Sequence, residues 1–338
     1  MLATTTLVSV RYRIGPVALL ILFAVGIELR YAQFGVGFSD VPQTIRATID
    51  GLAHGANPYL PVAGRPPFPY GPLALVWYAP FSDPRLQEFA LSILTLSVLA
   101  FRGQPLGLAL WATLPVAVNL ASDGSNDHTA AVLLLVALLV LERMPRAGAL
   151  LMGVAAGFKI YALAWLPPIF IWAGAGALVA GLAGAAVVWL PAVVLWGPGN
   201  ILASFQAADA VHKMPYFSLG ELLARQKFDL PRQTLDMFRL AAGALTAVVV
   251  APMARTHKGV VVAGMAIYFV TLYAGYWSTP AYLIPPLLVL CWYLDLWLGP
   301  DKARVAWPSD PVGVISDEVD RRWPRVDERR DAARIAAQ

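Results

Sequence analysis

Residues 177–197 read ALVAGLAGAAVVWLPAVVLWG, an apolar run without a single charged side chain. Coiled as a helix at about 1.5 Å per residue, it reaches about 30 Å, the thickness of the hydrocarbon core of a bilayer. Working outward, further apolar stretches of helix length lie at 15–32, 86–101, 106–121, 129–142, 148–158, 160–173, 238–254, 259–276 and 280–298. Composition agrees with this reading. Of the 338 residues 58% are hydrophobic and 14% charged, where soluble domains carry about 25% charged residues, and the mean hydropathy is +0.63. The expected fold is an all-α integral membrane protein of about ten transmembrane helices. A net charge of +4 and the lack of a basic stripe interleaved with aromatics argue against a nucleic-acid partner. The single cysteine, Cys291, excludes a disulfide or a cysteine metal site within the chain.

Charge in the short loops sets the expected orientation. Arg11 and Arg13 precede the first run, and Glu28 and Arg30 close it with no small-residue cleavage site after them. This predicts a retained signal-anchor helix, with Glu28 and Arg30 as interface anchors. With the N-terminus cytoplasmic, ten spans put Arg102, Arg143, Arg146, Arg255, Lys258 and the tail inside, as the positive-inside rule asks. Loops 33–85, 122–128 and 198–237 then face outside, as does the short turn 277–279. By length alone 148–173 is either one helix or two broken near Lys159, but one helix would carry Arg255, Lys258 and the tail outside. The transmembrane domain is expected to cover 1–298. Residues 299–338, with Pro308, Pro311, Pro324 and 16 of the 46 Asp, Glu, Lys and Arg residues in the last 38 positions, form a polar cytoplasmic tail expected to lack a fixed fold.

Two external segments concentrate polar chemistry. In 41–54, apolar Val41, Ile45, Ile49 and Leu52 alternate with Gln43, Arg46 and Asp50 at helical spacing, which predicts an amphipathic helix lying on the bilayer. Prolines at 66, 67, 69, 72 and 80 argue against a full span between Pro66 and Arg85. They point instead to a short interfacial helix with Tyr70, Trp77 and Tyr78 at headgroup depth, the alternative being a short span at 71–82. Asp40 either caps the 41–54 helix, together with Ser39, or serves as a general base at the mouth of a cavity. The second segment, NLASDGSNDH at 119–128, gathers Asp123, Asn126, Asp127 and His128, which either cap the following helix or contact substrate. Their spacing matches no ligand pattern, so neither a metal nor another cofactor is expected. Lys159 is the only charged residue between Arg146 and Asp209. It either snorkels to the interface or places an ammonium where a lipid-linked phosphate binds. The loop 198–237 holds His212, Lys213, Glu221, Arg225 and Lys227 without a motif that assigns them.

The succession of "SD" at Ser39–Asp40, "DGLAHGANPYLP" and "PYGPLALVWYAPF" resembles the first external loop of GT-C superfamily integral-membrane glycosyltransferases, closest to the polyprenol-phosphate-mannose-dependent mannosyltransferases. The matching elements are Asp40 after the first helix, the turn Gly55–Tyr59, and Tyr70–Leu73. Asn119–Asp127 and Gly153–Lys159 are similar to later family elements, so the likeness runs from about residue 10 to about residue 200. The chain departs at Gly124-Ser125-Asn126, where many relatives place Gln after the glycine, and at YWSTPAYLIPP (276–286), which lacks a histidine found in some.

The resemblance implies a GT-C-like bundle with amphipathic juxtamembrane helices in the first external loop. It implies inverting transfer of a hexose, mannose by family, from a polyprenyl-phosphate sugar donor to a lipid-linked or glycan acceptor on the extracytoplasmic face of the cytoplasmic membrane. Asp40 would be the base. Lys159, Arg65 and His54 would hold the donor phosphate, and Asn57, Tyr59, Tyr70, Asn126, Asp127 and His128 would contact substrate. Two other classes compete. A transporter or lipid flippase would be expected to show two related halves, and none is visible in the sequence. A non-catalytic partner subunit of the same fold would account for the missing Gln and His.

Overall fold

Proline decides where many of the helices begin, because its fixed φ suits the first turn and its missing N–H is not needed there. The computed structural model describes residues 16–36, 39–60, 68–81, 83–228, 230–298 and 311–336. The first group of helices is α1 (Pro16–Gln33), α2 (Val41–Ala53), α3 (Pro72–Tyr78), α4 (Pro84–Phe101), α5 (Pro105–Thr113), α6 (Pro115–Ser122), α7 (Asp127–Arg143) and α8 (Pro145–Ala156). A 3₁₀ turn, Ile160–Trp165, leads into α9 (Leu166–Ala173), followed by α10 (Ala175–Trp196), α11 (Pro198–Ala210), α12 (Leu219–Arg225), α13 (Arg232–Val250) and α14 (His257–Tyr273). A second turn, Pro280–Leu283, opens α15 (Ile284–Leu298), and α16 (Pro311–Arg322) and α17 (Val326–Ala336) complete the order. No strand occurs among the described residues, only an isolated bridge between Tyr216 and Trp277.

The protein is therefore an all-α membrane protein, and among the described residues four segments are long and apolar enough to cross a bilayer: Pro16–Gln33, Ala175–Trp196, Arg232–Met253 and Pro280–Leu298. Their outer surfaces suit lipid. On α10 the side chains of Val187, Val194 and Leu195 are at least 70% exposed, a surface that water would not tolerate but hydrocarbon does. On the inner side α10 crosses α8 through glycines. A Cβ on Gly153 would overlap the Gly181 carbonyl, and one on Gly184 would overlap that of Leu150. This is the small-residue contact by which helices associate in lipid, where apolar burial gives no net drive.

Several expectations change. Residues 106–121 are not one helix but α5 and α6, broken where Leu114 turns extended ahead of Pro115. Residues 148–173, in contrast, form two helical pieces separated at Gly157–Lys159, the division that the loop charges favoured. The apolar face of α2 packs largely on protein: Val41 and Ile45 are buried in a cluster with Tyr59, Phe68, Leu75 and Tyr78, while Leu52 stays exposed. Tyr78, expected among headgroups, is fully buried on α3, and at seven residues α3 is far too short to span. The tail is not free of the bundle, since α16 and α17 fold and dock through Arg143–Asp320 and Glu142–Arg325 pairs.

The breaks leave helix ends inside apolar protein, and each unbonded backbone group there needs a partner. Asp295 accepts hydrogen bonds from the N–H groups of Leu106 (3.2 Å) and Gly107 (2.8 Å) at the start of α5. Glu88 accepts from the Thr129 N–H at 3.0 Å at the start of α7. Arg30 serves the other end of α5. Pro115 has no N–H to offer the Trp111 carbonyl, and Arg30 donates to it at 2.7 Å and to the Ala112 carbonyl at 3.4 Å. Arg30 is thus no interface anchor; it is 0% exposed and also donates to Ser92 Oγ at 2.6 Å. Glu28, on the same helix, is exposed. Replacing Arg30 by Met keeps the volume but orphans two carbonyls, and should lower unfolding stability in detergent by about 2–3 kcal/mol. An unchanged thermal midpoint for Arg30→Met would show that these carbonyls find other partners.

Candidate functional site

The site is assembled by two short sequence elements that meet backbone to backbone. The Gly71 N–H donates to the Phe158 carbonyl at 3.1 Å and the Leu73 N–H to the Gly157 carbonyl at 3.0 Å. A Cβ at Gly71 would overlap the Gly157 carbonyl, so only glycine allows this approach. Lys159 follows in extended conformation (φ −138°, ψ 122°), and Tyr70 is thereby seated beside it.

Lys159 does not snorkel. Its Nζ lies 2.6 Å from Asp127 Oδ1, with the two side chains 10% and 4% exposed. The rings of Tyr70, Tyr161 and Tyr282 surround the ammonium, their centroids 5.7, 5.8 and 5.7 Å away. Asp127 also accepts from Ser125 Oγ at 2.9 Å and from the Tyr161 hydroxyl at 3.3 Å. An ion pair taken out of water persists only if its remaining valences are met. Here hydroxyls complete the carboxylate and aromatic faces complete the ammonium. Burial pushes the Tyr70 hydroxyl well above its usual range, and the charges of Asp40 and Asp127 add to it. Tyr70 therefore stays a neutral donor.

Asp40 lies close enough to this cluster for its charge to act on Tyr70, one of the rings around the ammonium. It occupies the N-cap position of α2, but its exposed side chain makes no cap hydrogen bond, and Ser39 Oγ accepts from the Val41 N–H instead. The loop that carries Asp127 is pressed against the same helix start. Gly124, at φ +84°, leaves no room for a Cβ, which would come 2.5 Å from Arg85 Cγ and 2.7 Å from Pro42 Cγ. In that loop Asp123 accepts from the Ser125 N–H at 2.7 Å, and burial pushes its carboxyl up to about 6.

The loop between α11 and α13 adds a residue that no motif signalled. His212 stacks on Trp277 with ring centroids 3.6 Å apart and planes 11° from parallel, and Trp277 in turn meets Tyr282 edge to face. Arg232 fixes this loop by donating to the carbonyls of His212 (3.0 Å) and Asp209 (2.8 Å). Desolvation lowers the His212 pKa below its usual value, and Arg232 lowers it further, while Asp209 and Asp40 pull the other way. The Asp40 charge thus acts on both Tyr70 and His212, the two ends of a chain of contacts through Lys159, Tyr282 and Trp277.

The remaining residues singled out by sequence go elsewhere. Asn57 accepts from the Tyr59 N–H and donates to the Trp196 carbonyl, and the fully buried Tyr59 donates to the Tyr70 carbonyl, so both brace the loop. His54 is exposed at the far end of α2 from Asp40, its ring bonded to the Asp50 carbonyl. His128 is buried between Thr95 and Trp111, facing away from its neighbour Asp127. Asn126 is also fully buried, with neither amide atom hydrogen-bonded and no capping contact. Arg65 lies outside the described residues. Among these residues no group of three His, Cys, Asp or Glu side chains converges as a metal site would require. Comparison with protein-family models, curated proteins and solved structures finds no match to this chain.

Removing one member of the caged pair should cost far more than removing both. Asp127→Leu or Lys159→Met alone strands a buried charge and should destabilise the protein by about 3–5 kcal/mol, whereas the two together should recover most of the loss. Chemical unfolding of the two single variants and the double variant measures the coupling; additive losses would mean that the pair is not an energetic unit.

Proposed function

We propose that the chain is a membrane glycosyltransferase of the GT-C kind. It transfers a hexose with inversion from a polyprenyl-phosphate sugar to a lipid-linked or glycan acceptor. The observation that carries this reading is the caged Lys159–Asp127 pair together with Asp40, an exposed carboxylate that caps nothing and whose charge reaches Tyr70 on the cage. A fixed cation and an exposed carboxylate within electrostatic reach of the same tyrosine are the two groups that displacement of a phosphate leaving group asks for. The same proposal lays the chain across the cytoplasmic membrane in ten spans, counting the shorter and broken helices. Both termini are cytoplasmic and the site opens to the extracytoplasmic side.

In this mechanism the acceptor hydroxyl attacks the anomeric carbon of the donor from the face opposite the phosphate. As the new C–O bond forms, Asp40 takes the hydroxyl proton. The bond from the anomeric carbon to the phosphate oxygen breaks, and polyprenyl phosphate leaves with the electron pair. Lys159 neutralises the charge that develops on that oxygen. Asp127 holds the ammonium in place and, with Tyr161 and Ser125 bonded to it, keeps it from turning away. Tyr70, neutral and seated at the ring of tyrosines, donates to substrate oxygens. His212 on Trp277 bounds the acceptor side. His54 has no role here, because about 20 Å of helix separates it from Asp40.

Purified protein given polyprenyl-phosphate mannose and a panel of glycolipid acceptors tests the reading. Asp40→Asn should lower kcat by about 10²- to 10⁴-fold and leave the donor KM nearly unchanged. Lys159→Met should lower kcat and raise the donor KM together. Product formed equally by wild type and Asp40→Asn would remove Asp40 as the base. Donor left unconsumed by the wild type across several polyprenyl-phosphate sugars would favour the non-catalytic partner.

A further inference from the structure

Three helices carry the site at one end and meet a single tail helix at the other. α7 begins at Asp127 and ends at Arg143, the segment Lys159–Ala173 runs from the caged lysine through Tyr161 to α9, and α14 ends near the tyrosine cluster after starting at His257. Each is about 25 Å long, so their far ends lie on the opposite side of the bundle from Lys159. At that side α17 touches all three. The Asp327 carboxylate accepts from the backbone N–H of His257 at 2.8 Å and from Trp172 Nε1 at 3.1 Å. Arg329 donates to the Arg143 carbonyl at 2.9 Å, the last residue of α7, and Arg330 donates to the Trp172 carbonyl at 3.0 Å, in the last turn of α9. The Arg330 guanidinium also lies over the Trp172 ring, 5.4 Å from its centroid, and Val326 enters the main hydrophobic core.

These contacts have a common sense. The acid meets a helix N-terminus and the two bases meet helix C-termini, each the charge that the helix dipole favours. Backbone groups unbonded at a helix end accept partners from outside the helix, and here one helix supplies them for three. α14 is tied to the site as well as to the clamp: Tyr268 packs on Tyr161 at 5.0 Å and its hydroxyl donates to the Tyr282 carbonyl at 2.6 Å. Any relative shift of α7, α9 and α14 therefore moves Asp127, Lys159 and Tyr282 against one another.

We propose that α17 is a clamp that sets the geometry of the Lys159 cage from the opposite side of the bundle, with Asp327 as its central positioning residue. Whatever reaction the cage serves, its register depends on a segment whose polar composition reads as a tail without a fixed fold. Release of α17, by a partner or by modification, would then loosen the site without touching it.

Amide hydrogen exchange on the full-length protein in lipid nanodiscs tests this without any substrate. In Asp327→Ala, exchange should quicken by about tenfold or more at 257–260, as loss of charge-assisted hydrogen bonds implies. It should quicken comparably at the cage segments 71–73 and 157–163, with α10 unchanged. Asp327→Glu should restore much of the protection at both places, and Trp172→Phe, which deletes one bond only, should give a smaller effect of the same pattern. Faster exchange confined to 257–260 and 326–336 would overturn the proposal, and so would a uniform rise that includes α10.

Discussion

An ammonium and a carboxylate 2.6 Å apart, almost sealed from water, constrain everything built around them. Neither Lys159 nor Asp127 can be buried alone, and the pair is tolerable only with its outer valences met. This requires Tyr70 from one loop, Tyr161 from the turn before α9, Tyr282 from the turn before α15, and Ser125 from the loop before α7. Four separate parts of the chain must therefore converge for one charge pair. The Gly71–Gly157 contact is the hinge of that convergence, because it sets Tyr70 beside Lys159 with two backbone hydrogen bonds and no side chain between.

A second constraint is the habit of breaking helices inside the apolar region. Pro115 and the Gly157–Lys159 turn interrupt what would otherwise be longer spans, and each break exposes polar backbone where no water is available. The chain answers with charged side chains from other elements. Asp295 and Glu88 serve helix starts, Arg30 serves a helix end, and Asp327, Arg329 and Arg330 do the same at the tail. Acids stand at N-termini and bases at C-termini throughout. The buried acids Asp295 and Glu88 and the buried Arg30 are thus committed to helix ends. Asp40 differs from these buried acids: it stands at a helix start, yet its side chain caps nothing. That freedom is what makes it suitable as a base in the proposed reaction.

From the sequence by itself came the membrane class, the positions of most of the long apolar helices, and Lys159 as a charge that needed a partner. Apolar length and proline placement are local properties, and a lone lysine in an apolar stretch is conspicuous whatever surrounds it. What only the tertiary structure decided is which polar residues share a space. Asp127 and His128 are adjacent in sequence, but neighbours on a helix point about 100° apart; one turns to Lys159 and the other to Thr95 and Trp111. Tyr282 and His212 reach the site from loops far along the chain, a closure that no local pattern encodes. The tail read as unstructured because its composition is polar, whereas its charges are spaced to meet helix ends that exist only once α7, α9 and α14 have packed. Local chemistry told which elements form, and long-range packing told which of their charges meet.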